Sequence, residues 1–466
     1  MFFAVLLVLA FSLWYTPWRL GGWLGAKKRW PWILAAFAWT AGYLALVMSG
    51  AYTLDNRLCA VLFVALGLLF IFGVYAFFET LIIELIRLRA RRLPLRAAAA
   101  GALALAAVLT GAGYVKARLF TVTYAELEVP GLAAPVDIVH VPDLHLGPAR
   151  GAGYLKKVLA AVEEIDPDFV VYNGDMVDGN IALRPEVFDQ FRAVKAPQYF
   201  TTGNHEYYVD TGLALSFVRG AGIRVLMSER AEQSGLNLIG LQYMNADLDT
   251  DQGHRVNDLG LDQELPKIPR DPGLPDLLVH HSPVGLQYVD REGVEVMLAG
   301  HTHGGQAFPG TLLIRRNFPY FRGRYDVGGV KLLVSQGAGT FGPAVRLGTF
   351  NELQHVRLVP AAGGTATPAA GEGAAFSGSG IGSAAPEEGE AAASPGRAGG
   401  VAAGYSVREG GSASGGETGG SASGGEAGGS VSGGETGGSA ASGSAGAAVA
   451  LGTGWGGAPQ RDSLAR

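Results

Sequence analysis

The chain is poor in cysteine and in charged residues. Cys59 is the single cysteine among 466 residues, and it lies inside an apolar run. One cysteine excludes a disulfide framework within the chain and a zinc site built from several thiolates. Charged residues make up 17% of the sequence, and the formal net charge is −5. That charge gives no support to a nucleic-acid partner, which would call for a basic patch or stripe.

The composition divides the chain into three regions. An apolar start is followed by an ordinary globular middle and then by a tail dominated by Gly, Ala, Ser and Glu. We predict a transmembrane region over 1–117, a catalytic domain over 118–360 and a disordered tail over 361–466. The tail contains a nine-residue repeat that begins at Gly410 and lacks the aspartate and the regular apolar position of calcium-binding solenoids, so a flexible tail is favoured.

Four apolar runs in the first region predict four membrane-spanning helices. They cover Phe2–Tyr15, Trp32–Met48, Leu58–Phe78 and Ala97–Tyr114, and a spanning helix needs roughly 20 apolar residues. The first run approaches that length only with its aromatic flank. A cleavable signal peptide is the alternative for it, but the run lacks a basic start and an A-x-A exit, which favours a retained helix.

Basic residues predict the orientation of these helices. They concentrate in the connection between the first two runs and in the connection between the last two, whereas the middle connection carries only Asp55 and Arg57. Basic loops stay in the cytoplasm. We therefore expect the N-terminus and everything after the fourth helix to lie outside the cell membrane, although Lys116 and Arg118 argue weakly for the opposite.

From Val136 the pattern changes to short apolar strands that alternate with amphipathic helices, which indicates an α/β domain. A polar stretch, Asn245–Pro275, interrupts this rhythm and reads as a long surface excursion. The predicted strands are Val136–Val141, Phe169–Tyr172, Gln198–Thr202, Arg224–Met227, Leu236–Gln242, Leu277–Val279, Val294–Ala299, Lys331–Gln336 and His355–Val359.

Residues that bind metals follow the ends of several predicted strands. Ligands gather at the carboxyl ends of strands in α/β sheets, so residues far apart in sequence can meet there. Carboxylate, imidazole and amide oxygen together suit Mn, Fe, Zn or Ni, and there are enough ligands for two divalent metal ions that share one carboxylate. The residues are Asp143, His145, Asp175, Asn204, His205, His281, His301 and His303.

Five short motifs carry a family resemblance. In order they are D-L-H at 143–145, G-D-x-x-D at 174–178, G-N-H-E at 203–206, H-S-P at 281–283 and G-H-T-H-G-G-Q at 300–306. Together they resemble the calcineurin-like metallophosphoesterase family over roughly 136–358, and the apolar start resembles its membrane-bound branch. The resemblance implies an α/β/β/α sandwich of two sheets flanked by helices, preceded by an all-α transmembrane region.

The resemblance also implies a role for each residue. Asp143, His145 and His303 would hold one metal; Asn204, His281 and His301 would hold the other, and Asp175 would bridge them. His205 would steady the phosphoryl oxygens and protonate the leaving group as general acid. Asp178 and Glu206 would orient ligands and backbone.

Each motif also has a plain structural explanation. Asp143 and Asp175 could cap helices, and Asn204 could serve a turn. The ligand at His281 could slip to His280, because only one of two neighbours on a strand faces the site. All five motifs arising together in this order favours the metal site, and the H-x-P spacing favours His281.

These inferences predict a membrane-anchored dinuclear phosphoesterase. Its substrate would be a phosphodiester or phosphomonoester, and a site beside the bilayer makes a lipid or cell-envelope phosphoester plausible. One alternative is a pyrophosphatase acting on nucleotide-linked lipids, or a nucleotide phosphodiesterase. Another is a membrane receptor that binds a phosphorylated ligand without hydrolysing it. The sequence leaves the metal and the oligomeric state open.

Overall fold

The computed structural model describes residues 2–50, 56–90, 92–249, 256–361 and 406–408, with side chains from residue 8 to residue 361. The predicted flexible tail, 361–466, lies outside the described residues, except for Ala361 and three residues that form a strand, Ser406–Arg408. The nine-residue repeat also lies outside them.

Four helices occupy the apolar start. Asn56 caps the third helix, where its Oδ1 accepts hydrogen bonds from the backbone N–H groups of Leu58 and Cys59. This helix is much longer than the apolar run that predicted it, because good helix formers continue after Phe78. The four are α1 (Phe2–Trp23), α2 (Trp30–Met48), α3 (Arg57–Arg89) and α4 (Leu95–Lys116).

Among the described residues, α2, α3 and α4 are long and apolar enough to cross a membrane. The helix α1 is not among those three, so its spanning of the bilayer stays a prediction.

A first sheet contains seven strands in the order β13-β1-β12-β2-β3-β4-β5. From β2 to β5 the strands run parallel, and β12 is inserted between β1, its parallel neighbour, and β2, its antiparallel neighbour. The strands are β1 (Phe120–Val129), β2 (Val136–Pro142), β3 (Phe169–Asn173), β4 (Gln198–Thr201), β5 (Arg224–Val225), β12 (Asn351–Pro360) and β13 (Ser406–Arg408).

A second sheet contains six strands in the order β10-β11-β9-β8-β7-β6. The four central strands are parallel, and the two outer strands are antiparallel to their neighbours. The strands are β6 (Glu229–Gln233), β7 (Leu236–Gly240), β8 (Asp276–Val279), β9 (Val296–Ala299), β10 (Gly323–Val327) and β11 (Val330–Val334).

The two sheets pack face to face, and helices cover their outer faces. Side chains of both sheets share one core, which includes Ile138 and Phe169 from the first sheet and Leu277 and Leu298 from the second. This is the predicted α/β/β/α sandwich, and it confirms the fold class. The helices are α5 (Ala152–Ile165), α6 (Pro185–Phe188), α7 (Thr211–Gly220), α8 (Leu261–Glu264), α9 (Leu286–Arg291) and α10 (Gly310–Asn317).

The predicted surface excursion was wrong for its second half. Leu261, Leu265 and Ile268 are buried against the second sheet. Their spacing is that of an apolar helical stripe, which the surrounding Asp, Gly and Pro residues obscured. Residues 250–255 of this segment lie outside the described residues.

Hydrogen bonds join the sandwich to α4 and to the residues directly after it. Asn351 Nδ2 donates hydrogen bonds to the backbone carbonyls of Ala117 and Leu119, each at 2.8 Å. The backbone N–H of Arg346 donates to the carbonyl of Gly113 in α4 at 3.0 Å. A Cβ on Gly113 would stand 2.5 Å from a methyl group of Val345, so this contact requires glycine.

Candidate metal centre and its relatives

The predicted site residues meet at one edge of the sandwich. Asp143 follows β2, Asp175 follows β3 and Asn204 follows β4 in the first sheet, while His281 follows β8 and His301 follows β9 in the second. These five strands are parallel within their sheets, so their carboxyl ends lie at the same edge.

The backbone is unusual at the same residues. Within the part of the chain that the structure describes, nine residues other than glycine have a positive φ, and five of them are predicted ligands. Such conformations cost about 1–3 kcal/mol each and persist where the surroundings enforce them. The strain therefore concentrates at this edge, and the five residues are Asp143, His145, Asp175, His301 and His303.

Asp143, His145 and His303 form one ligand cluster. His145 Nε2 and His303 Nε2 are 3.1 Å apart, and His303 Nε2 lies 3.3 Å from Asp143 Oδ1. All three side chains are buried. One atom from each lies within 4.8 Å of the other two, so a single ion could contact all three.

Asp175, His281 and His301 form a second cluster, in which one ligand atom from each residue lies within 4.8 Å of the other two. His281 Nε2 lies 3.2 Å from Asp175 Oδ2, and its Nδ1 lies 2.8 Å from the carbonyl oxygen of Asn173. The Asp175 carboxylate also reaches towards the first cluster, with its Oδ2 3.7 Å from His145 Nε2. It thus lies between the two clusters.

An unpartnered polar atom supports a metal at the second cluster. Asn204 Oδ1 is buried without a hydrogen-bond partner, although buried polar groups are nearly always paired. His280, the neighbour of His281, places its Nδ1 2.8 Å from the carbonyl oxygen of Ser282 instead. Two carboxylates, four imidazoles and an amide oxygen with no thiolate suit Mn, Fe, Zn or Ni, and the residues therefore fit two divalent ions.

Two glycines let the ligand loops approach each other. A Cβ on Gly203 would stand 2.2 Å from Asp175 Oδ1, and a Cβ on Gly300 would stand 2.4 Å from Asp143 Oδ2. Larger residues at either position would push a carboxylate out of its cluster.

His205 lies beside both clusters and is held by Asp178. Its Nδ1 is 2.8 Å from Asp178 Oδ1, and its backbone N–H donates to Asp175 Oδ1 at 2.8 Å. Its Nε2 is 3.9 Å from Asp175 Oδ2. Burial lowers the pKa of His205, but Asp175 and Asp178 outweigh burial and raise it to about 9. The imidazole is thereby kept able to carry a proton.

Glu206 ties the two loops of the first sheet together. Its carboxylate accepts hydrogen bonds from the backbone N–H groups of Gly203 at 2.7 Å, Asp175 at 2.9 Å and Met176 at 2.8 Å. It contacts none of the imidazoles by hydrogen bond among the described residues, and its position is that of a group that fixes backbone.

Opposite charges compensate each other within the clusters. Burial raises the pKa of Asp143 and of Asp175, but neighbouring histidines, His303 for the former and His281 for the latter, outweigh burial and hold both pKa values below the usual range. Burial lowers the pKa of His281, but Asp175 and Asp143 raise it to about 10. Cations are therefore favoured at this edge.

Sequence reasoning missed Arg346 as a site residue. Its guanidinium is fully buried, lies 3.1 Å from His303 Nδ1 and donates to the backbone carbonyl of His303 at 2.8 Å. It also donates to the carbonyls of Gln336 and Gly339, each at 2.6 Å. The motif Arg346-Leu347-Gly348 could have drawn attention to it, but nothing in the sequence pairs it with His303.

Aromatic residues around the clusters were also missed. Tyr208 OH accepts a hydrogen bond from Asn204 Nδ2 at 3.2 Å. Phe341 lies 5.0 Å from the ring of His303, and Phe318 lies 5.4 Å from the ring of His301, between ring centroids. These residues shape the surroundings of the ligands.

Comparison with known proteins agrees with this geometry. The calcineurin-like phosphoesterase profile matches residues 136–305. A metallophosphoesterase of Aquifex aeolicus is 33% identical over 221 residues, which cover 46% of this chain and 80% of that protein. A zebrafish transmembrane protein with a metallophosphoesterase domain is 28% identical over 274 residues, which cover 55% of this chain and 62% of that protein.

A metallophosphoesterase of Campylobacter jejuni is 28% identical over 237 residues, which cover 50% of this chain. The match spans 62% of that relative's length. The profile match from residue 136 to residue 305 includes every residue of the two ligand clusters. The domain belongs to the class of metal-dependent phosphoester hydrolases. The chain belongs to the calcineurin-like metallophosphoesterase family.

Proposed function

We propose that the protein is a membrane-anchored, dinuclear metal-dependent hydrolase of phosphodiesters or phosphomonoesters. The observation that carries this proposal is the position of Asp175 between two ligand clusters, with His205 beside it. Asp143, His145 and His303 would hold one ion; Asn204, His281 and His301 would hold the other, and Asp175 would contact both. Divalent ions in paired sites polarise phosphoryl oxygens and make water more acidic.

The chain's own residues supply the proton transfer. Water attacks phosphorus, the bond to the ester oxygen breaks, and that oxygen takes the proton from His205 Nε2. Asp178 fixes the ring by its contact with Nδ1 and favours the protonated imidazole. Glu206 holds the loops of Asp175 and Gly203 at a fixed separation, so the proton donor and the ligands keep their relative positions.

The location that fits this enzyme is the cell membrane, with residues 118–360 as the phosphoesterase domain on the outer side. Three helices long and apolar enough to cross a bilayer precede that domain, and zebrafish and bovine relatives are described as transmembrane proteins. The basic connections that follow α1 and α3 favour a cytoplasmic position for those two connections.

The test is hydrolysis of bis-p-nitrophenyl phosphate and p-nitrophenyl phosphate by the full chain in detergent. The protein is stripped of metal and assayed before and after addition of Mn²⁺. We expect Mn²⁺ to restore activity in the parent protein and in Asp189→Asn, whose carboxylate is exposed, but not in Asp175→Asn. The ratio of the two rates separates a diesterase from a monoesterase.

Metal binding without turnover of either ester would contradict the proposal and favour a receptor for phosphorylated ligands. Activity that persists in Asp175→Asn would show that hydrolysis does not depend on the shared carboxylate.

A further inference from the structure

The metal centre lies directly beside the membrane helices. Phe341 contacts the rings of His145 and His303, at 6.3 and 5.0 Å between centroids. The next two residues already reach the helices. A Cβ on Gly342 would stand 3.4 Å from the hydroxyl of Tyr43 in α2, and Gly67 in α3 faces Pro343 with 3.4 Å between a Cβ there and the Pro343 Cα. Access to the site is therefore bounded by membrane helices on this side.

The segment that carries α10 is tied to the metal ligands at both ends. It leaves the loop of His303 at Gly305, where a Cβ would collide with Gly310 at 2.5 Å. It returns at Phe318, whose ring lies edge-on to His301 at 5.4 Å. The helix α10 thus flanks the site, and a ligand entering from that side must pass it.

This segment also extends along a membrane helix. Phe308 packs against Phe78 of α3, with 6.0 Å between ring centroids. Phe78 is eleven residues beyond Gly67, the position that faces Pro343, which is about 16 Å along a helix axis. The domain therefore does not only rest on the helix ends, because Phe308 reaches the side of α3.

The outer face of α10 is apolar and uncovered. No residue of α10 is buried, and Leu312 and Leu313 are 65% and 63% exposed. Arg316 lies on the same face, one turn further along. A lone exposed leucine is ordinary, but two adjacent leucines beside an exposed phenylalanine form a patch that marks a contact surface.

The chemistry of this face fits lipid. Helices that lie in a membrane interface combine an apolar face with Lys or Arg residues, and arginine can bury its stem while its charged head reaches the headgroups. Arg316 in the last turn would meet the phosphate groups of the lipid headgroups, while the guanidinium of Arg315 lies over the ring of Phe321. The face is continuous with α3 through the contact of Phe308 with Phe78.

We infer that the exposed face of α10, together with Phe308, enters the lipid bilayer beside α3, and that the site takes phosphoesters whose apolar part is embedded in that bilayer. The second half of this inference rests on the proposed hydrolytic function. A substrate anchored by its apolar part would meet Phe308, Leu312 and Leu313 at the same depth at which they contact lipid, and its phosphoryl group would lie towards His301 and His303.

The first experiment measures the bilayer contact without any turnover. The full chain with Cys59→Ser carries one new cysteine, Leu312→Cys, labelled with an environment-sensitive fluorophore in vesicles of phosphatidylcholine and phosphatidylglycerol. We expect quenching by acyl-chain spin-labelled lipid and little quenching by aqueous iodide. The matched control is Lys195→Cys in the same background, because Lys195 is 89% exposed and precedes β4 at the opposite edge. It should show the reverse pattern.

The second experiment measures substrate preference with two diesters that share one leaving group. Hexadecyl p-nitrophenyl phosphate inserts into the vesicles, whereas ethyl p-nitrophenyl phosphate stays in water. We expect the double variant Leu312→Ser, Leu313→Ser to lower the ratio of the hexadecyl rate to the ethyl rate about tenfold or more, because two leucine contacts with lipid are lost. Leu213→Ser removes another exposed leucine of the domain and should leave the ratio unchanged.

The outcomes separate the two claims. A label at 312 that iodide quenches and lipid does not would overturn the bilayer contact. Shielding from both quenchers would place another protein surface there, such as a second copy, and would also overturn it. Equal losses on both diesters in the double variant would overturn the preference for embedded substrates. If the parent protein hydrolyses neither diester, the proposed hydrolytic function fails, while the fluorescence result still decides the bilayer contact.

Discussion

His205 and His303 both lie beside His145, with ring centroids 4.6 and 5.0 Å from it, yet their surroundings differ in charge. The Nδ1 of His205 faces the carboxylate of Asp178, and the Nδ1 of His303 faces the guanidinium of Arg346. The carboxylates near His205 raise its pKa to about 9 despite burial. At His303 burial lowers the pKa to about 4, because the attraction of Asp143 does not outweigh it and Arg346 adds to the lowering.

The difference fits the two roles proposed for these histidines. A protonated imidazole can give a proton to a leaving group but cannot bind a metal ion, whereas a neutral imidazole can bind one. For this pair the neighbours therefore favour a proton on His205 and a neutral ring at His303, whereas His281, whose pKa Asp175 and Asp143 raise to about 10, would have to lose its proton to bind an ion. Four substitutions test this difference.

Replacement of the proton donor, His205→Ala, should have the largest effect. A positioned general acid contributes about 10²–10⁴-fold to the rate, and an alkoxide needs that proton far more than a nitrophenolate does. We expect kcat on a dialkyl phosphate to fall by about that factor and kcat on bis-p-nitrophenyl phosphate to fall much less. His355→Ala, at a histidine that contacts Asp137 far from the site, is the control. Equal losses on the two esters would remove His205 from the role of acid.

Arg346→Lys tests the surroundings of His303. Lysine keeps the positive charge but lacks the planar set of N–H donors of arginine. Groups that orient metal ligands are worth about 10–100-fold in metal affinity. We expect that loss for one of the two Mn²⁺ equivalents in calorimetric titration of stripped protein, together with a lower melting temperature. Arg357→Lys changes an arginine that contacts Asp137 at 2.7 Å and should alter neither. Unchanged Mn²⁺ affinity would show that Arg346 supports only the fold.

A smaller effect is expected from Asp178→Asn, which keeps a hydrogen-bonding side chain beside His205 but removes its charge. The pKa of His205 should fall, and kcat on the dialkyl ester should fall about tenfold. That is the smallest loss usually seen when a residue that orients a metal site is replaced. Calorimetry should give an Mn²⁺ affinity close to that of the parent protein. A large loss of metal affinity would mean that Asp178 acts mainly on His145, whose Nδ1 lies 3.8 Å away.

The smallest effect belongs to Tyr208→Phe, which removes the hydroxyl that accepts from Asn204 Nδ2. One such hydrogen bond is worth about 1 kcal/mol, or about fivefold in affinity. We expect a decrease of that size for one Mn²⁺ equivalent and no change in the preference for alkyl over aryl esters. Tyr199→Phe removes a hydroxyl that contacts Gln233 and is the control. A loss confined to alkyl esters would link Tyr208 to His205 rather than to Asn204.

The predicted residues came together because each directly follows a strand, and strand ends are fixed by local patterning. Asp143, Asp175 and His281 could therefore be predicted to lie at one edge even though the pairing of the strands was not known. Arg346 was not found because its partner His303 lies 43 residues away, and no periodicity links a loop arginine to a histidine across that distance.

The same holds for the fold: elements with a clear local pattern were predicted, and elements that depend on distant partners were missed. The strand β3 was predicted almost to the residue, since its apolar pattern is self-contained. The strand β1 was missed, because it lies directly after α4 and its neighbour β12 is more than 200 residues away. The helix α10 was missed because it is only eight residues long, too short for its apolar pattern to be told from that of a loop.

The insertion of β12 between β1 and β2 has a consequence for the order in which the protein is assembled. The strand β1 is made immediately after the membrane helices, but it pairs with β12, residue for residue from Phe120↔Asn351 to Val129↔Pro360. During synthesis β1 therefore cannot pair fully with β12 until residue 360 has been made. Non-local pairings of this kind form slowly. The four N-terminal helices are made long before the sheet can close, so a nascent chain truncated before β12 would present unpaired strands beside them.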